Sequence, residues 1–269
     1  MKNLLIITTN YAGCECGAPQ CNCIQNTGVY LEEFAVPYLV FQKSDINVTV
    51  ASPNGSLSPV DEKSMSCSNP EEWDDCIKVL RETKKLSEVD YKNFDGVYFP
   101  GGHGPMFDLA ENKEVAEIVE YFFRSGKLVS AVCHGPAAFV NTDIVKGKRV
   151  TCFTNEEEGI VKLQELVPFL LETCLINLGA EFVAEKPWAE HVEVDGNLIT
   201  GQNQNSALLI AEKIIEFFNQ RSRQNTDSLI VGYHLRQEIP LGTLRCNMRI
   251  KTGNLTVSDN TVMQHICPV

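Results

Sequence analysis

A cysteine, a histidine, a glycine and a proline follow one another at the end of an apolar run in the segment KLVSAVCHGPAAF. Cys133 ends this strand-like run, and Gly135 and Pro136 open a short helix after it. A sharp strand-to-helix turn lifts a nucleophilic side chain clear of a sheet, and the N–H groups at a helix N-terminus favour a thiolate. We therefore predict that Cys133 is a nucleophile whose pKa lies below the reference value of about 8.5. An inert buried cysteine is the alternative.

A glycine-rich loop, PGGHGP at residues 100–105, follows another apolar run. Three glycines in four positions allow the backbone to point N–H groups into a cavity. In a parallel sheet this loop shares the carboxyl edge with Cys133. The N–H of Gly102 or His103, with that of His134, is a candidate oxyanion hole. For the His103 side chain we expect substrate contact or a packing role, and no proton transfer.

Apolar runs of strand length alternate with amphipathic segments of helix length. This order predicts an α/β protein with a doubly wound, mostly parallel sheet and helices on both faces. The predicted strands are residues 3–8, 47–51, 96–99, 128–132 and 149–153. The predicted helices are residues 29–43, 113–124, 167–178 and 205–220, with a short one after His134. Asp195 and Gly196, between apolar runs at 192–194 and 197–200, predict a β-hairpin.

The composition is that of an acidic globular protein. Of the 269 residues 43% are hydrophobic, which allows a sizeable core. Lys and Arg number 23 against 35 Asp and Glu, so the formal net charge is −12. We therefore expect neither nucleic acid nor membrane as a partner. The sheet pattern is complete by residue 220, so we predict an α/β domain at 1–220 and an extension of unknown role at 221–269.

We expect no targeting or membrane signal in this chain. The apolar run at residues 4–7 is too short for a signal-peptide core, and no stretch approaches the ~20 apolar residues of a membrane span. We expect a soluble, cytoplasmic protein. The eleven cysteines, an odd number without a secretory signal, are then expected to be free thiols rather than a disulfide framework.

Four cysteines lie close together in the loop CECGAPQCNC, namely Cys14, Cys16, Cys21 and Cys23. Thiolates at this spacing can reach one soft ion such as Zn²⁺ or Cu⁺. We favour a reduced surface loop or a transient disulfide over a metal site, and we expect the loop to lie at the sheet edge that carries Cys133.

Seven blocks in one order, between about residues 2 and 218, resemble the ThiJ/PfpI family of the class I glutamine amidotransferase-like superfamily. The blocks are TGVYLEEF, ASPNG, PGGHGPMFDL, AVCHGPA, GKRVTCFTNEEE, VPFLLE and DGNLITGQN. They are most similar to the chaperone-like branch, whose members act as glutathione-independent glyoxalases and are reported as protein deglycases and holding chaperones. The resemblance implies a flavodoxin-like fold.

The resemblance also implies roles for individual residues. Cys133 matches the nucleophile and His134 its neighbouring acid/base. Glu158 matches the acid that orients the histidine, with Glu157 as an open alternative because the run of carboxylates is shifted by one residue. Glu33 matches a carboxyl that hydrogen-bonds the nucleophilic sulfur. A carboxyl near a thiolate has a raised pKa, so it can stay protonated and donate that hydrogen bond.

The implied reaction converts methylglyoxal-type dicarbonyls to 2-hydroxy acids, such as lactate, without an organic cofactor. Glycated or misfolded proteins are further expected partners, and we expect a homodimer. Two alternatives stay open: a cysteine peptidase or amidase of the same superfamily, and a non-catalytic redox sensor or holding chaperone that uses an oxidisable cysteine.

Overall fold

A computed structural model describes residues 1–14, 24–66 and 69–237, without the side chains of residues 223–237. Its strands are β1 (Lys2–Ile7), β2 (Ile46–Ser52), β3 (Lys84–Lys85), β4 (Gly96–Phe99), β5 (Leu128–Val132), β6 (Arg149–Val150), β7 (Glu181–Phe182), β8 (Val192–Asp195) and β9 (Leu198–Gly201). Over the described residues the main sheet has the order β3-β2-β1-β4-β5-β9-β8, and β6 pairs with β7. In the main sheet β8 runs antiparallel to β9, whereas all other neighbours run parallel.

Helices connect these strands. They are α1 (Leu31–Gln42), α2 (Trp73–Arg81), α3 (Pro105–Asp108), α4 (Lys113–Arg124), α5 (Asn155–Val161), α6 (Leu171–Asn177) and α7 (Ala207–Gln237). Short 3₁₀ turns occur at Glu62–Ser64, Leu86–Glu88, Tyr91–Asn93, Gly135–Phe139 and Gln204–Ser206. The start of α4 shows how the sequence defines such a helix, because the Asn112 side chain accepts hydrogen bonds from the N–H groups of Glu114 and Val115.

The sheet is buried on both faces. Leu4 and Ile6 of β1 belong to one hydrophobic cluster and Leu5 and Ile7 to the other, and all four side chains are fully buried. The buried face of α4 packs into the cluster of Leu5, whereas buried residues of α1 and α7 pack into the cluster of Leu4. The predicted doubly wound fold with helices on both faces is confirmed.

Several predicted elements are confirmed in detail. Four of the five predicted strands lie in the main sheet with ends within one residue of the prediction. The hairpin forms as expected, since Asp195 pairs with Leu198 and Gly196 has a φ of +67°.

The prediction of a strand at residues 149–153 is wrong in extent and place. Only Arg149–Val150 is strand, and it pairs with β7 outside the main sheet. The following residues bond to the site region instead, since the N–H of Phe153 donates to the carbonyl of Cys133 at 2.9 Å.

Two predicted helices have different ends. The helix expected at 167–178 begins only at Leu171, because Pro168 disfavours the helical conformation at Val167. The last helix was expected to end at Gln220 but continues to Gln237. No proline interrupts residues 221–237, so helical hydrogen bonds can continue although the apolar periodicity ends.

The chain divides into two compact units, Met1–Phe218 and Asn219–Val269. The first unit contains every strand of the described residues. Of the second unit the structure describes residues 219–237, which are helical. The predicted domain boundary at residue 220 falls inside α7. In the described part of the chain, no helix combines the length and apolarity that crossing a membrane requires.

Candidate active site

Cys133 directly follows β5 and lies in a strained turn. Its φ is +58°, in the left-handed region, which costs a non-glycine residue of the order of 1 kcal/mol. Its N–H donates to the carbonyl of Gly201 at 3.0 Å, and its carbonyl accepts the N–H of Phe153. The 3₁₀ turn Gly135–Phe139 begins two residues later. This backbone has the form of a nucleophile elbow, as the sequence predicts.

Glu33 lies in the first turn of α1 and is fully buried. Its Oε2 accepts the N–H of Gly101 at 2.8 Å, its Oε1 has no hydrogen-bond partner among the described residues, and the carboxyl lies close enough to Cys133 for each group to influence the other's pKa. Burial raises the pKa of Glu33 to about 8, so the carboxyl keeps its proton at neutral pH. Gly101 permits this contact, because a Cβ there would lie 2.7 Å from Oε2.

The pKa of Cys133 is raised, so the expectation of a lowered value is wrong. Burial raises the pKa most, the Glu33 carboxylate raises it further, and a hydrogen bond from Gly102 lowers it. The element that follows is a 3₁₀ turn of five residues rather than a helix with a strong N-terminus. Glu33 and Cys133 compete for one proton. When Glu33 holds it, the opposing charge is gone and the carboxyl can donate to a thiolate.

One carboxylate bridges two histidines beside this sulfur. Nδ1 of His134 lies 3.4 Å from Sγ of Cys133, and Nε2 of His134 lies 2.7 Å from Oε2 of Glu158. Oε1 of Glu158 lies 2.9 Å from Nε2 of His103. Burial raises the pKa of Glu158, but the hydrogen bonds with His103 and His134 outweigh it and hold that pKa well below its usual range. Glu158 is therefore ionised at neutral pH.

Glu157 makes different contacts. It forms the capping box of α5 with Thr154, accepting the Thr154 N–H at 2.9 Å and donating its own N–H to Thr154 Oγ1 at 3.1 Å. Its Oε1 accepts from the N–H of Trp188 at 2.9 Å and from Nδ2 of Asn203 at 2.7 Å. Both oxygens of Glu157 have partners away from the histidines, so the geometry favours Glu158 as the carboxylate that orients His134.

The partner of His103 is a relationship that sequence reasoning missed. The ring centroids of His103 and His134 lie 4.1 Å apart, and Glu158 joins both rings. Burial lowers the pKa of His103, and the nearby His134 lowers it further. Nothing in the local sequence pairs His103 with a residue 55 positions away.

Gly102 has the backbone conformation that its neighbours require. Its φ is +89°, and a Cβ there would lie 2.2 Å from the carbonyl oxygen of Gly28. Its N–H lies near the sulfur of Cys133 and lowers the pKa of that thiol. A donor at this position is also close to an oxygen on a carbon that the sulfur attacks.

A cavity of about 160 Å³ opens beside the sulfur. Four residues that the sequence singled out line it: Gly102, His103, Cys133 and His134. Seven others were missed, namely Tyr30, Asp61, Lys63, Phe153, Val161, Trp188 and Gln204. They come from separate loops and helices, and no single motif contains all seven. The sequence did offer a signal for Tyr30, because this residue stands in the same block as Glu33. In the structure, burial raises the pKa of Tyr30 to about 12.

The predicted cysteine cluster is only partly described. Cys14 is disulfide-bonded, so the expectation of free thiols is wrong for this residue and the disulfide alternative holds. Cys16, Cys21 and Cys23 lie outside the described residues. The free thiols among the described residues are Cys76, Cys133, Cys152 and Cys174. In the same described part, donor atoms close enough to share a metal ion come from His103, His134 and Glu158.

Fold and site together define a class: flavodoxin-like α/β proteins with a cysteine on an elbow, backed by a histidine and a glutamate, at the carboxyl edge of the sheet. The chain belongs to the DJ-1/PfpI family, whose sequence profile matches residues 23–217.

Curated relatives include two fungal enzymes. Glyoxalase 3 of Candida albicans is 29% identical over 214 residues, covering 72% of this chain and 91% of the relative. A glutathione-independent glyoxalase of Saccharomyces cerevisiae is 29% identical over 211 residues, covering 71% of this chain and 89% of the relative.

Solved structures agree with this fold. The crystal structure of glyoxalase III from Candida albicans has a TM-score of 0.70 and 27% identity, covering 80% of this chain and 97% of that one. The Rapid Encystment Protein of Francisella tularensis has a TM-score of 0.74 and 31% identity, covering 81% of this chain and 99% of that one.

Proposed function

We propose that this protein is a glutathione-independent glyoxalase, which converts methylglyoxal and similar 2-oxoaldehydes to 2-hydroxy acids. The observation that carries the proposal is the hydrogen-bonded series of Cys133, His134 and Glu158 at a cavity of about 160 Å³. The names of the fungal relatives support the same activity. The cavity also has an apolar side, formed by Phe153 and Val161, which suits the methyl group of methylglyoxal.

In the first step Nδ1 of His134, 3.4 Å from the sulfur, takes the proton of the Cys133 thiol, and the sulfur attacks the aldehyde carbon, C1. A carbon–sulfur bond forms, and the carbonyl electron pair moves to the oxygen. The N–H of Gly102, with that of His103 or His134, stabilises this oxyanion. Protonation of the oxygen by the His134 imidazolium gives a hemithioacetal and leaves His134 as a base.

In the second step His134 removes the proton from C1. The electron pair forms a C1–C2 double bond, and the C2 carbonyl electron pair moves onto its oxygen, which gives an enediolate. The His134 imidazolium then delivers its proton to C2, the C1 hydroxyl proton passes to the C2 oxygen, and the product is a thioester of the 2-hydroxy acid. C1 is oxidised and C2 is reduced within one molecule, so the reaction requires no external redox partner. Glu158 stabilises the imidazolium that forms in between.

In the third step water attacks the thioester, and the carbon–sulfur bond breaks. The sulfur leaves as a thiolate, to which a protonated Glu33 donates a hydrogen bond, and the 2-hydroxy acid is released. For methylglyoxal the product is lactate. The net reaction adds one water molecule to the dicarbonyl.

The decisive assay uses the purified full chain with methylglyoxal, without glutathione, and measures lactate enzymatically. We expect turnover by the parent chain and none by Cys133→Ser. An amide substrate in a parallel reaction distinguishes the peptidase or amidase alternative. Amide cleavage with no lactate formed would overturn the proposal.

We further propose that the enzyme acts as a homodimer in the cytoplasm, where a reduced thiol persists, and that glycated proteins present the same carbonyl chemistry to Cys133. Light scattering after size exclusion measures the oligomeric state. Mass spectrometry of a glycated peptide, with and without the parent chain, measures removal of the adduct. A monomer in solution would contradict the homodimer. A glycated peptide that stays unchanged would contradict the reaction with glycated proteins.

A further inference from the structure

Two imidazole nitrogens and one carboxylate oxygen lie close together beside the cavity. They are one ring nitrogen of His103, one ring nitrogen of His134 and a carboxylate oxygen of Glu158, all within 4.8 Å of one another. The exposed fractions of these side chains are 11%, 1% and 5%. Two imidazoles and one carboxylate form a donor set that binds first-row divalent metals and leaves positions open for water.

The orientation of the two imidazole rings suits metal binding as well as the two hydrogen bonds with Glu158. Both histidines turn the same ring atom, Nε2, towards Glu158, at 2.9 and 2.7 Å. A zinc ion takes imidazole nitrogen and carboxylate oxygen at about 2.0–2.2 Å, so it can replace the protons of these hydrogen bonds with small side-chain movements. Both histidines line the cavity, which supplies space for water ligands.

The three residues are also held in place. Glu158 lies in α5, whose first turn is fixed by the capping box of Thr154 and Glu157. His134 follows the hydrogen-bonded Cys133 elbow, and its Nδ1 faces Sγ. A metal on Nε2 therefore binds on the side of the ring that faces away from the sulfur.

We propose that His103, His134 and Glu158 form a binding site for a divalent transition metal ion such as Zn²⁺, and that the bound ion reversibly inhibits the enzyme. The metal replaces the proton on Nε2 of His134, so the remaining ring proton stays on Nδ1, which faces the sulfur, and this imidazole can no longer act as a base. The binding claim is independent of the proposed glyoxalase function, because it is measured without substrate.

The test uses Co²⁺ as a spectroscopic probe and Zn²⁺ as an inhibitor. The full chain carries Ser in place of Cys14, Cys16, Cys21 and Cys23, which removes the loop sulfurs. We expect about one equivalent of Co²⁺, with no sulfur-to-cobalt charge-transfer band, both in this chain and after the added change Cys133→Ser. We expect Zn²⁺ to stop lactate formation by the parent chain, and a chelator to restore it.

His103→Gln removes one metal ligand and should weaken Co²⁺ binding by more than the roughly 10- to 100-fold that loss of an outer partner costs. The matched control is His191→Gln, because His191 also pairs with a glutamate, with Nε2 3.2 Å from Oε1 of Glu193, but lies outside the cavity lining. The His191→Gln variant should bind Co²⁺ as tightly as the same chain with His191 intact.

Should His103→Gln fail to fold, nitrogen NMR of the parent histidines decides. Zn²⁺ must then shift the Nε2 signals of two histidines and leave that of His191 unchanged. Equal Co²⁺ affinity for folded His103→Gln and its parent would overturn the proposal. So would a charge-transfer band that disappears with Cys133→Ser, or no binding at all.

Discussion

Oε2 of Glu158 lies 2.7 Å from Nε2 of His134, while the preceding glutamate in the run is used to cap α5. Adjacent carboxylates on one helix turn therefore have separate tasks, one beside the reacting groups and one in the framework. The sequence alone did not distinguish Glu158 from Glu157 as the carboxylate that orients His134, because a run of three glutamates does not show which of them faces the histidine.

Glu158→Gln should reduce kcat for dicarbonyl conversion strongly, by one to several orders of magnitude, because a neutral amide cannot stabilise the His134 imidazolium. Glu157→Gln should mainly lower the melting temperature, because both carboxylate oxygens of Glu157 accept hydrogen bonds, whereas an amide has one acceptor oxygen. A buried donor left without a partner costs about 1–3 kcal/mol. Steady-state kinetics and thermal unfolding of both variants separate the two effects. Equal, mild kinetic losses would mean that another group orients His134.

Cys133→Ser and Cys133→Ala should abolish lactate formation while the fold persists, because the sulfur is required for covalent chemistry. Cys133→Gly should be equally inactive but more stable than Cys133→Ala by about 1 kcal/mol, since φ is +58° at this position. Urea unfolding compares the two variants. If the alanine variant proves more stable, the elbow is not strained in solution.

Gly101→Ala should lower both stability and activity, because its Cβ would lie 2.7 Å from Oε2 of Glu33 and from the backbone nitrogen of His134. Gly159→Ala is the matched control. Gly159 lies in α5, and a Cβ there meets nothing within 4 Å, so this change should stabilise by about 0.5–1 kcal/mol. Thermal unfolding and kcat/KM of both variants test the contrast. Normal activity in Gly101→Ala would show that the loop adapts without cost to Glu33.

The fold could be predicted well where the sequence carried a local signal. β4 and β5 are buried throughout and mostly apolar because both faces of the sheet are covered, and the hairpin carries Asp195 and Gly196 at its turn. α2 was missed, since its buried residues, Cys76 and Leu80, are few. β7 was missed because two residues carry no periodicity.

The site could be predicted only where its residues lie in motifs. Cys133, His134 and Glu33 stand in recognisable blocks, and the elbow follows from strand, glycine and proline. The contact of His103 with Glu158 depends on how two distant loops meet. The raised pKa of Cys133 depends on burial beside Glu33, and burial of that kind is a property of the packed structure rather than of the local sequence.

Glu33→Gln should lower the pH at which Cys133 becomes reactive. The change removes the carboxylate charge that raises the thiol pKa, while the amide can still donate a hydrogen bond to the sulfur. Glu32→Gln is the matched control in the same helical turn, because Glu32 is not among the causes that raise the pKa of Cys133. Alkylation rates at Cys133 between pH 5 and 10, measured by mass spectrometry, give the midpoints. An unchanged or higher midpoint would show that the Glu33 charge does not oppose ionisation.

Glu33 should also make the stability of the protein depend on pH. Burial raises its pKa in the folded chain to about 8, whereas an unfolded glutamate has a pKa of about 4.3. Between these values the unfolded chain has lost a proton that the folded chain keeps, so the free energy of unfolding falls as pH rises, by up to about 1.4 kcal/mol per pH unit.

Glu33→Gln removes this contribution and should gain stability relative to the parent from pH 5 to pH 8. Asp108, whose pKa burial raises to about 6, also makes the free energy of unfolding fall as pH rises. Parent and variant both contain Asp108, so its contribution cancels in their difference. Urea unfolding of parent and variant at pH 5, 6.5 and 8 measures the difference, and a difference that stays constant would mean that Glu33 is ionised in the folded protein.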